Sequence, residues 1–341
     1  MMHLVQITNG PSRRVAIVEE PYLHCLAEVQ SVYELVWDCL LSGSKLSERV
    51  STFKRGETLD YDAIHAGVSE WRLLQPVDVP GEPGRMLISG TGLTHLGSAK
   101  DRQAMHTAGA QSALEESETW TDSMRMFQWG VAGGRPAGGE IGIAPEWFYK
   151  GNGSILRAPL APLTVPVYAE DGGEEAEIAG IYIIGPGGAP YRIGMAASNE
   201  FSDHKLEKRN YLNLAGSKLR TCSIGPELVV GAEFKAVSGQ VRIERGAETL
   251  WSKIVETGEE NMCHSLANLE HHHFKFEGHR QPGDLHVHFY GAHSLSFGDG
   301  ITLRDGDWME VRFDGFGRPL RNLLRVEANS EHRPVIVTSL S

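Results

Sequence analysis

From Met124 onward, the chain consists of short runs of β-branched and aromatic residues that are separated by clusters of Gly, Pro, Asp and Asn. Examples are the segments PLTVPVYAEDGGEEAEIAGIYIIGPGG, GQVRIERG, GDLHVHFYG and GDWMEVRFDGFG. Short strands at such regular spacing are typical of a β-sandwich or a barrel-like roll. The 39 glycines among 341 residues agree with many tight turns. The sequence therefore predicts a strand-rich fold for this part of the chain.

The first hundred residues mix helix and strand signals. Apolar residues at three- and four-residue steps predict a helix over residues 24–42, and a strand is predicted over Arg85–Ser89. Residues 98–118 are polar and rich in Ala and Ser, which is typical of either a linker or an active-site lid. We therefore expect a small N-terminal α+β domain over residues 1–118, which includes this lid segment, and a second domain over residues 119–341.

Acidic residues outnumber basic ones, with 44 Asp and Glu against 32 Lys and Arg and a formal net charge of −12. This balance argues against nucleic acid and against an anionic membrane surface as partners, since both attract a basic face. No apolar run approaches about 20 residues, the length of a membrane helix. The N-terminal stretch MMHLVQITNGPSRR lacks the pattern of a signal peptide, so we expect a cytoplasmic protein.

Several well-known cofactor and nucleophile motifs are missing. The four cysteines form no CxxC pair, which disfavours a thiolate zinc site. The sequence has no GxGxxG after a strand, no P-loop and no GxSxG. Nucleotide cofactors and a serine hydrolase triad are therefore disfavoured.

Three carboxylates form the first candidate site. Glu175 and Glu177 lie two residues apart, and such residues project to the same face of a strand. Glu200 follows the short apolar stretch YRIGMAA, from which it can add a third oxygen ligand on a neighbouring strand. Hard divalent ions such as Mg²⁺ prefer oxygen ligands of this kind. The alternatives are a solvated acidic hairpin turn and a helix cap by Ser198 or Asn199.

Lys218 and a group of histidines form the second candidate. Lys218 lies in an otherwise small and apolar stretch, where a lysine held near a dication can lose its proton and act as a base. An ordinary surface lysine is the alternative. Eight of the 15 histidines lie between His264 and His293. His286 and His288 alternate with apolar residues, which predicts hydrogen-bonding histidines lining a pocket rather than a histidine-bound Fe, Mn or Zn.

The order of these features resembles the fumarylacetoacetate hydrolase (FAH) superfamily. Its members carry an ExE pair on a strand, an acidic residue after a GN turn, a lysine before a GP pair, and a C-terminal pattern rich in Gly and Asp. The matching segments here are Glu175–Ala–Glu177, Asn199–Glu200, Ser217–Lys218, Ile224–Gly225–Pro226, Gly283–Asp284, Gly306–Asp307 and Gly315–Phe–Gly317. The resemblance extends over residues 124–322, where Phe148–Tyr149–Lys150 is similar to the FxKP segment of the family.

Several residues differ from the usual pattern of the family, and these differences indicate one branch of it. Glu200 stands where members usually have Asp, and Ser98 stands where hydrolytic members have a water-priming His, with His95 three residues earlier. The segment His288–Phe289–Tyr290–Gly291, which lies within HVHFYG, replaces the TGTP of the family. With NEFSDH and GFGRPLRN, these differences resemble the branch of sugar-acid dehydratases.

The resemblance implies an α+β homodimer with a small N-terminal α+β domain and a C-terminal FAH-type mixed β-sandwich roll. It implies a small keto-acid substrate and a magnesium cofactor, with manganese as the alternative, held by Glu175, Glu177 and Glu200. The implied reaction is the Mg²⁺-dependent dehydration of a 2-keto-3-deoxy-pentonate, derived from L-arabinonate or D-xylonate, to 2-oxoglutarate semialdehyde in non-phosphorylative pentose catabolism.

Four residues are expected to carry out the proton transfers of this reaction. Lys218 is the expected base, and the candidate donors for the departing hydroxyl are His288, Tyr290 and His95.

Three alternative functions stay open at this point. A FAH-type hydrolase of acylpyruvate-like 2,4-diketo acids would need a primed water, for which His106 with Glu115 or Glu116 is a candidate. A sensor would bind a sugar acid without turnover. A cupin-type oxygenase would hold Fe or Mn on histidines rather than Mg²⁺ on carboxylates.

Overall fold

The computed structural model describes residues 1–106, 120–328 and 333–340, without the side chains of 104–106. Its strands are β1 (Met2–Thr8), β2 (Arg13–Glu19), β3 (Tyr22–Leu26), β4 (Arg55–Asp60), β5 (Arg72–Leu73), β6 (Met86–Gly92), β7 (Glu146–Asn152), β8 (Leu156–Arg157), β9 (Leu163–Val165), β10 (Ala176–Ile184), β11 (Pro190–Asn199), β12 (Cys222–Ile224), β13 (Leu228–Val230), β14 (Val237–Arg245), β15 (Glu248–Thr257), β16 (Leu285–Phe289), β17 (Trp308–Phe313) and β18 (Leu320–Val326). The α-helices are α1 (Val32–Ser42), α2 (Leu46–Thr52), α3 (Tyr61–His65), α4 (Leu96–His106), α5 (Asp122–Gly133), α6 (His204–Arg209), α7 (Leu214–Lys218) and α8 (Leu266–Phe274).

The strands form two sheets. The larger one runs in the order β4-β3-β2-β1-β13-β11-β10-β16-β6-β7, with β5, β8 and β12 attached to its sides. The smaller one runs β15-β14-β17-β18-β9. Most neighbours are antiparallel, but three pairs are parallel: β16 with β6, β18 with β9 and β12 with β8. The expected α+β class with a mixed-β roll is therefore confirmed.

Side-chain alternation gives the larger sheet two buried faces. One face packs against α1 and α2 through residues such as Val36, Val50, Ile181 and Phe289, and we call this cluster the first core. The other face packs against the smaller sheet and α8, and we call this cluster the second core. The central strands β10, β11 and β16 lie between the two cores, which is why the residues on them are almost all buried.

Two predictions of secondary structure are wrong in part. The helix predicted over residues 24–42 begins only at Val32, where the Ser31 hydroxyl accepts from the Glu34 N–H, and the first residues of that range belong to β3. The strand-rich region predicted from Met124 onward begins only after α5, which continues to Gly133 and which the Thr121 side chain caps. In both cases a capping residue sets the helix start, and apolar spacing alone does not mark it.

Strands from both ends of the chain share the larger sheet, since β1 pairs with β13 and β6 pairs with β16. The division of the chain near residue 118 and the homodimer stay predictions. Of the lid segment 98–118, residues 107–118 lie outside the described residues, as do Glu115, Glu116 and the side chain of His106. Among the described residues, no helix is both long and apolar enough to cross a membrane.

Candidate metal centre

Three buried carboxylates converge at the end of β10. Glu175 and Glu177 flank the first residue of that strand, and Glu177 lies opposite Ser198 on β11. Glu200 follows β11 directly, and its N–H donates to the Glu175 carbonyl at 2.9 Å, which continues the pairing. One ligand atom from each carboxylate lies within 4.8 Å of the others. The structure thus brings Glu175, Glu177 and Glu200 together as the sequence predicts, and we call them the carboxylate trio.

The electrostatics of the trio favour a bound cation. Burial, followed by the charges of Glu200 and Glu175, raises the pKa of Glu177 well above its usual range. Burial and the Glu175 carboxylate also raise the pKa of Glu200, to about 7. Three carboxylates crowded in a buried site repel one another unless a proton or a cation lies between them. Their oxygen donor set suits Mg²⁺, so these residues fit the expected ion.

Lys218, at the end of α7, lies inside this site. Its Nζ donates to Glu175 Oε1 at 2.5 Å, to Glu200 Oε2 at 2.7 Å and to the Ser202 hydroxyl at 3.1 Å. Burial disfavours the ammonium ion, but Glu175 and Glu200 outweigh it and raise the pKa of Lys218. Burial likewise opposes the carboxylate of Glu175, but Lys218 and His204 hold its pKa well below the usual range. Lys218 therefore lies beside the trio, where its contacts with Glu175 and Glu200 favour the ammonium form.

Lys150 is a second buried lysine that the sequence analysis did not assign to the site. It lies on β7, and its Nζ donates to Glu200 Oε1 at 2.5 Å, to the Phe201 carbonyl at 2.7 Å and to the Lys218 carbonyl at 2.9 Å. Phe201 has a φ of 29°, a left-handed conformation that is strained for a residue with a side chain. Lys150 thus holds a strained turn that directs Glu200 toward the trio.

The sequence analysis also assigned no role in the site to His204 or to the acidic residues around Arg102. The His204 ring lies 3.1 Å from Glu175 Oε1, and its other nitrogen is buried and has no hydrogen-bond partner among the described residues. Arg102 of α4 pairs with Glu146 at 2.7 Å and with Glu207 at 2.8 Å. These contacts join residues far apart in sequence, so only the Ser-Asp-His run at 202–204 offered a sequence signal.

The histidine strand β16 presents its imidazoles to the face opposite the trio. Gly180 pairs with His288 and is three residues from Glu177 on β10, so the two project to opposite faces. His288 contacts Ser89 at 2.9 Å, and its ring lies 6.0 Å from that of Tyr290. The prediction that His286 and His288 turn away from their apolar neighbours is confirmed. The expectation that His288 and Tyr290 line the metal pocket stays a prediction, and the register between β10 and β16 does not favour it for His288.

His95 lies between β6 and α4 and is buried. One ring nitrogen lies 2.9 Å from the Thr94 hydroxyl and the other lies 3.1 Å from the Thr257 hydroxyl. Burial, with a smaller effect of His293, lowers its pKa to about 3. No contact in the described part of the chain joins His95 to the trio, so its role as a proton donor is not tested by the geometry.

Comparisons with known proteins found similarity among solved structures. No family model matches the sequence, and no curated protein matches it significantly. The solved structure of 2-keto-3-deoxy-D-arabinonate dehydratase complexed with magnesium and 2,5-dioxopentanoate is similar, with a TM-score of 0.70 and 16% identity. So is 5-carboxymethyl-2-hydroxymuconate delta-isomerase from Mycobacterium smegmatis, with a TM-score of 0.56 and 15% identity. Each alignment covers 96% of this chain and 100% of the other.

This likeness shows the fold of the chain. It is the fold of these two enzymes, and it includes the N-terminal strands as well as the β-roll. The dehydratase neighbour, which was solved with magnesium, is also the higher in TM-score of the two.

Proposed function

We propose that the protein is a Mg²⁺-dependent dehydratase of the FAH superfamily. In this proposal it converts a 2-keto-3-deoxy-pentonate, derived from L-arabinonate or D-xylonate, to 2-oxoglutarate semialdehyde, which is 2,5-dioxopentanoate. The observation that carries the proposal is the buried carboxylate trio with the Lys218 ammonium bonded to two of its members. The dehydratase neighbour, solved with magnesium and 2,5-dioxopentanoate, supports it.

The charge of the site supports an anionic substrate. The trio is bonded to two ammonium groups, those of Lys218 and Lys150. Three carboxylates, two ammonium groups and one dication together carry a single positive charge. A buried site with uncompensated charge is costly. A monoanionic keto acid would balance that charge, whereas a neutral sugar would not.

The residues of the trio, Glu175, Glu177 and Glu200, would hold the magnesium ion. When bound there, Mg²⁺ supplies a Lewis acid for the carboxylate and keto oxygens of the substrate and for the enolate that forms from it. In this proposal the Lys218 ammonium ion releases its proton to water after the substrate has bound, and the neutral amine then takes the proton from C3. The hydroxyl group on C4 then leaves with a proton as water, and tautomerisation of the remaining C5 alcohol gives the aldehyde without any external oxidant.

The donor of the proton to the C4 hydroxyl is chosen among three candidates. His288 and Tyr290 project from the sheet face opposite Glu177. His95 leads into α4, the helix whose Arg102 pairs with Glu146 and Glu207. No hydrogen bond among the described residues joins any of the three to the trio, so all three stay candidates for this role.

A substrate panel tests the proposal. The purified protein is incubated with Mg²⁺ and each stereoisomer of 2-keto-3-deoxy-pentonate, and semialdehyde and pyruvate are measured separately. The proposal predicts semialdehyde from at least one isomer and none after EDTA treatment or with Glu177→Gln. Acylpyruvates are run in parallel. Pyruvate from these diketo acids without any semialdehyde would favour the hydrolase, and binding without any product would favour a sensor.

A further inference from the structure

Lys150 has no proton left to offer a substrate. Its residue is fully buried, and its three acceptors are the Glu200 carboxylate and the carbonyls of Phe201 and Lys218. An ammonium ion donates three hydrogen bonds, so all of them are used within the protein. Lys150 can therefore influence the site only through the positions of these groups and through its charge.

Glu200 is shared between two ammonium groups. One of its oxygens accepts from Lys150 and the other accepts from Lys218. Both lysines are fully buried, so water screens their charges little. A divalent ion that binds the trio must approach these two positive charges. The free energy of metal binding thus contains a repulsion that Lys150 contributes.

We propose that Lys150 is a positioning residue of the metal centre whose charge makes metal affinity depend on an anionic ligand. The proposal rests on the proposed function in one respect, that the anion is a 2-keto acid bound at the same site. Without the anion, a dication leaves the buried site with an excess positive charge. With the anion, the charges balance. By linkage, the anion then tightens metal binding by the same factor by which the metal tightens anion binding.

The competing explanation is that Lys150 only braces the strained turn at Phe201. The two explanations predict opposite signs for the removal of the ammonium group. A brace that is lost lets Glu200 move and weakens metal binding, as is typical of residues that orient ligands. A positive charge that is lost near a dication strengthens metal binding. The sign of the change in metal affinity therefore separates the charge role from the brace.

The experiment is a calorimetric titration of the metal-free protein with Mn²⁺ at fixed pH, with and without pyruvate as an unreactive 2-keto acid. In the wild type, we expect pyruvate to tighten Mn²⁺ binding by about 10-fold or more. In Lys150→Met, we expect Mn²⁺ alone to bind about 10-fold more tightly and the effect of pyruvate to shrink by at least about 5-fold. A matched control is Arg245→Met, which removes the cationic partner of buried Asp307 in the smaller sheet and should change neither quantity.

Weaker or unchanged Mn²⁺ binding in Lys150→Met, or an unchanged effect of pyruvate, would overturn the proposal. If Lys150→Met does not fold, methyl pyruvate replaces pyruvate in the wild type, because it keeps both carbonyl oxygens and carries no charge. We expect it to lose the tightening effect, and equal tightening by the neutral ester would contradict the proposal. Neither titration depends on turnover. A protein without dehydratase activity can therefore still show that pyruvate tightens Mn²⁺ binding, and the two outcomes are told apart.

Discussion

Lys218 Nζ lies 2.5 Å from Glu175 Oε1 inside a site that is almost fully buried. The two groups stabilise each other's charge, because each shifts the pKa of its partner toward the ionised form. A catalytic lysine that begins the reaction as an ammonium ion must release its proton before it can take one from C3. Substitution of Lys218 should therefore change the rate of the chemical step without changing the binding of the substrate.

Lys218→Met should lower kcat with little change in KM. Removal of a general base typically costs about 10²–10⁴-fold in rate, while the trio still provides the main attraction for the keto acid. The measurement is kcat and KM with the active isomer, together with the exchange of the C3 proton in D₂O. Lys208→Met is the control, since Lys208 lies on α6 and is exposed. Near-normal turnover with Lys218→Met would mean that another group is the base.

Glu177→Gln should abolish tight metal binding and keep the fold. The carboxylate of Glu177 accepts a hydrogen bond from the Gly291 N–H, and a glutamine oxygen can accept the same bond. The lost negative charge should weaken Mn²⁺ binding by at least about 100-fold, as read by calorimetry. Glu270→Gln is the matched control, because Glu270 bonds Tyr182 and Arg192 away from the trio. Equal Mn²⁺ affinity in Glu177→Gln and the wild type would remove Glu177 from the site.

His288→Ala should affect folding stability more than metal binding. Its imidazole is fully buried against Ser89 and the His273 ring, so its removal leaves a cavity. We expect a loss of about 2–4 kcal/mol in the free energy of unfolding, with an unchanged Mn²⁺ affinity. Urea denaturation and calorimetry measure the two quantities. A large drop in kcat with unchanged stability would instead restore His288 as a catalytic residue.

The buried histidines should make the protein sensitive to mild acid. Burial, with smaller effects of neighbouring histidines, lowers the pKa values of His95, His286 and His288 to about 3. In the unfolded chain these groups titrate near pH 6.5. The unfolded state therefore binds more protons between these values, and stability falls as the pH drops below about 6.5. Each histidine contributes about 1.4 kcal/mol per pH unit there.

Urea denaturation at pH 7 and pH 5.5 measures this effect. The three histidines together predict a loss of about 4 kcal/mol in the free energy of unfolding over that interval. The variant His288→Gln should show about one third less of this loss. If His288→Gln and the wild type lose the same free energy of unfolding between the two pH values, His288 is not held neutral by the fold.

Gly180→Ala should destabilise the fold through Tyr290. A methyl group at this position would collide with the Tyr290 hydroxyl, which lies 2.5 Å from the Tyr182 hydroxyl beneath the sheet. We expect a loss of about 1–3 kcal/mol from this overpacking, measured by urea denaturation. Gly187→Ala serves as the control, because a methyl group there meets nothing within 4 Å. Similar losses in the two variants would place the effect in the backbone rather than in the contact.

The sequence predicts the carboxylate trio because the effects that bring it together act between residues that are close in sequence. Two-residue spacing puts Glu175 and Glu177 on one face, and the pairing of adjacent strands brings Glu200 to them. The same alternation correctly turns His288 away from Val287. It cannot tell which face His288 shares with residues on other strands, because that depends on the register between β10 and β16.

Residues that reach the site from distant strands are the ones that sequence patterns miss. Lys150 is 50 residues away from its acceptor Glu200, and Arg102 is 44 residues away from Glu146. The similarity of Phe148–Tyr149–Lys150 to an FxKP segment marks the position of Lys150 in the chain but does not show which residues its side chain contacts. Only the packing of β7 against the turn at Phe201 reveals that it is buried and fully hydrogen-bonded.

Anomalous diffraction from crystals soaked in Mn²⁺ tests the metal centre most directly. We predict one strong anomalous peak among Glu175, Glu177 and Glu200, with carboxylate oxygens at about 2.0–2.3 Å from the ion. The same soak of Glu177→Gln crystals should show the peak much reduced. A strong Mn²⁺ peak on the histidines of β16, with none at the carboxylate trio, would contradict the account.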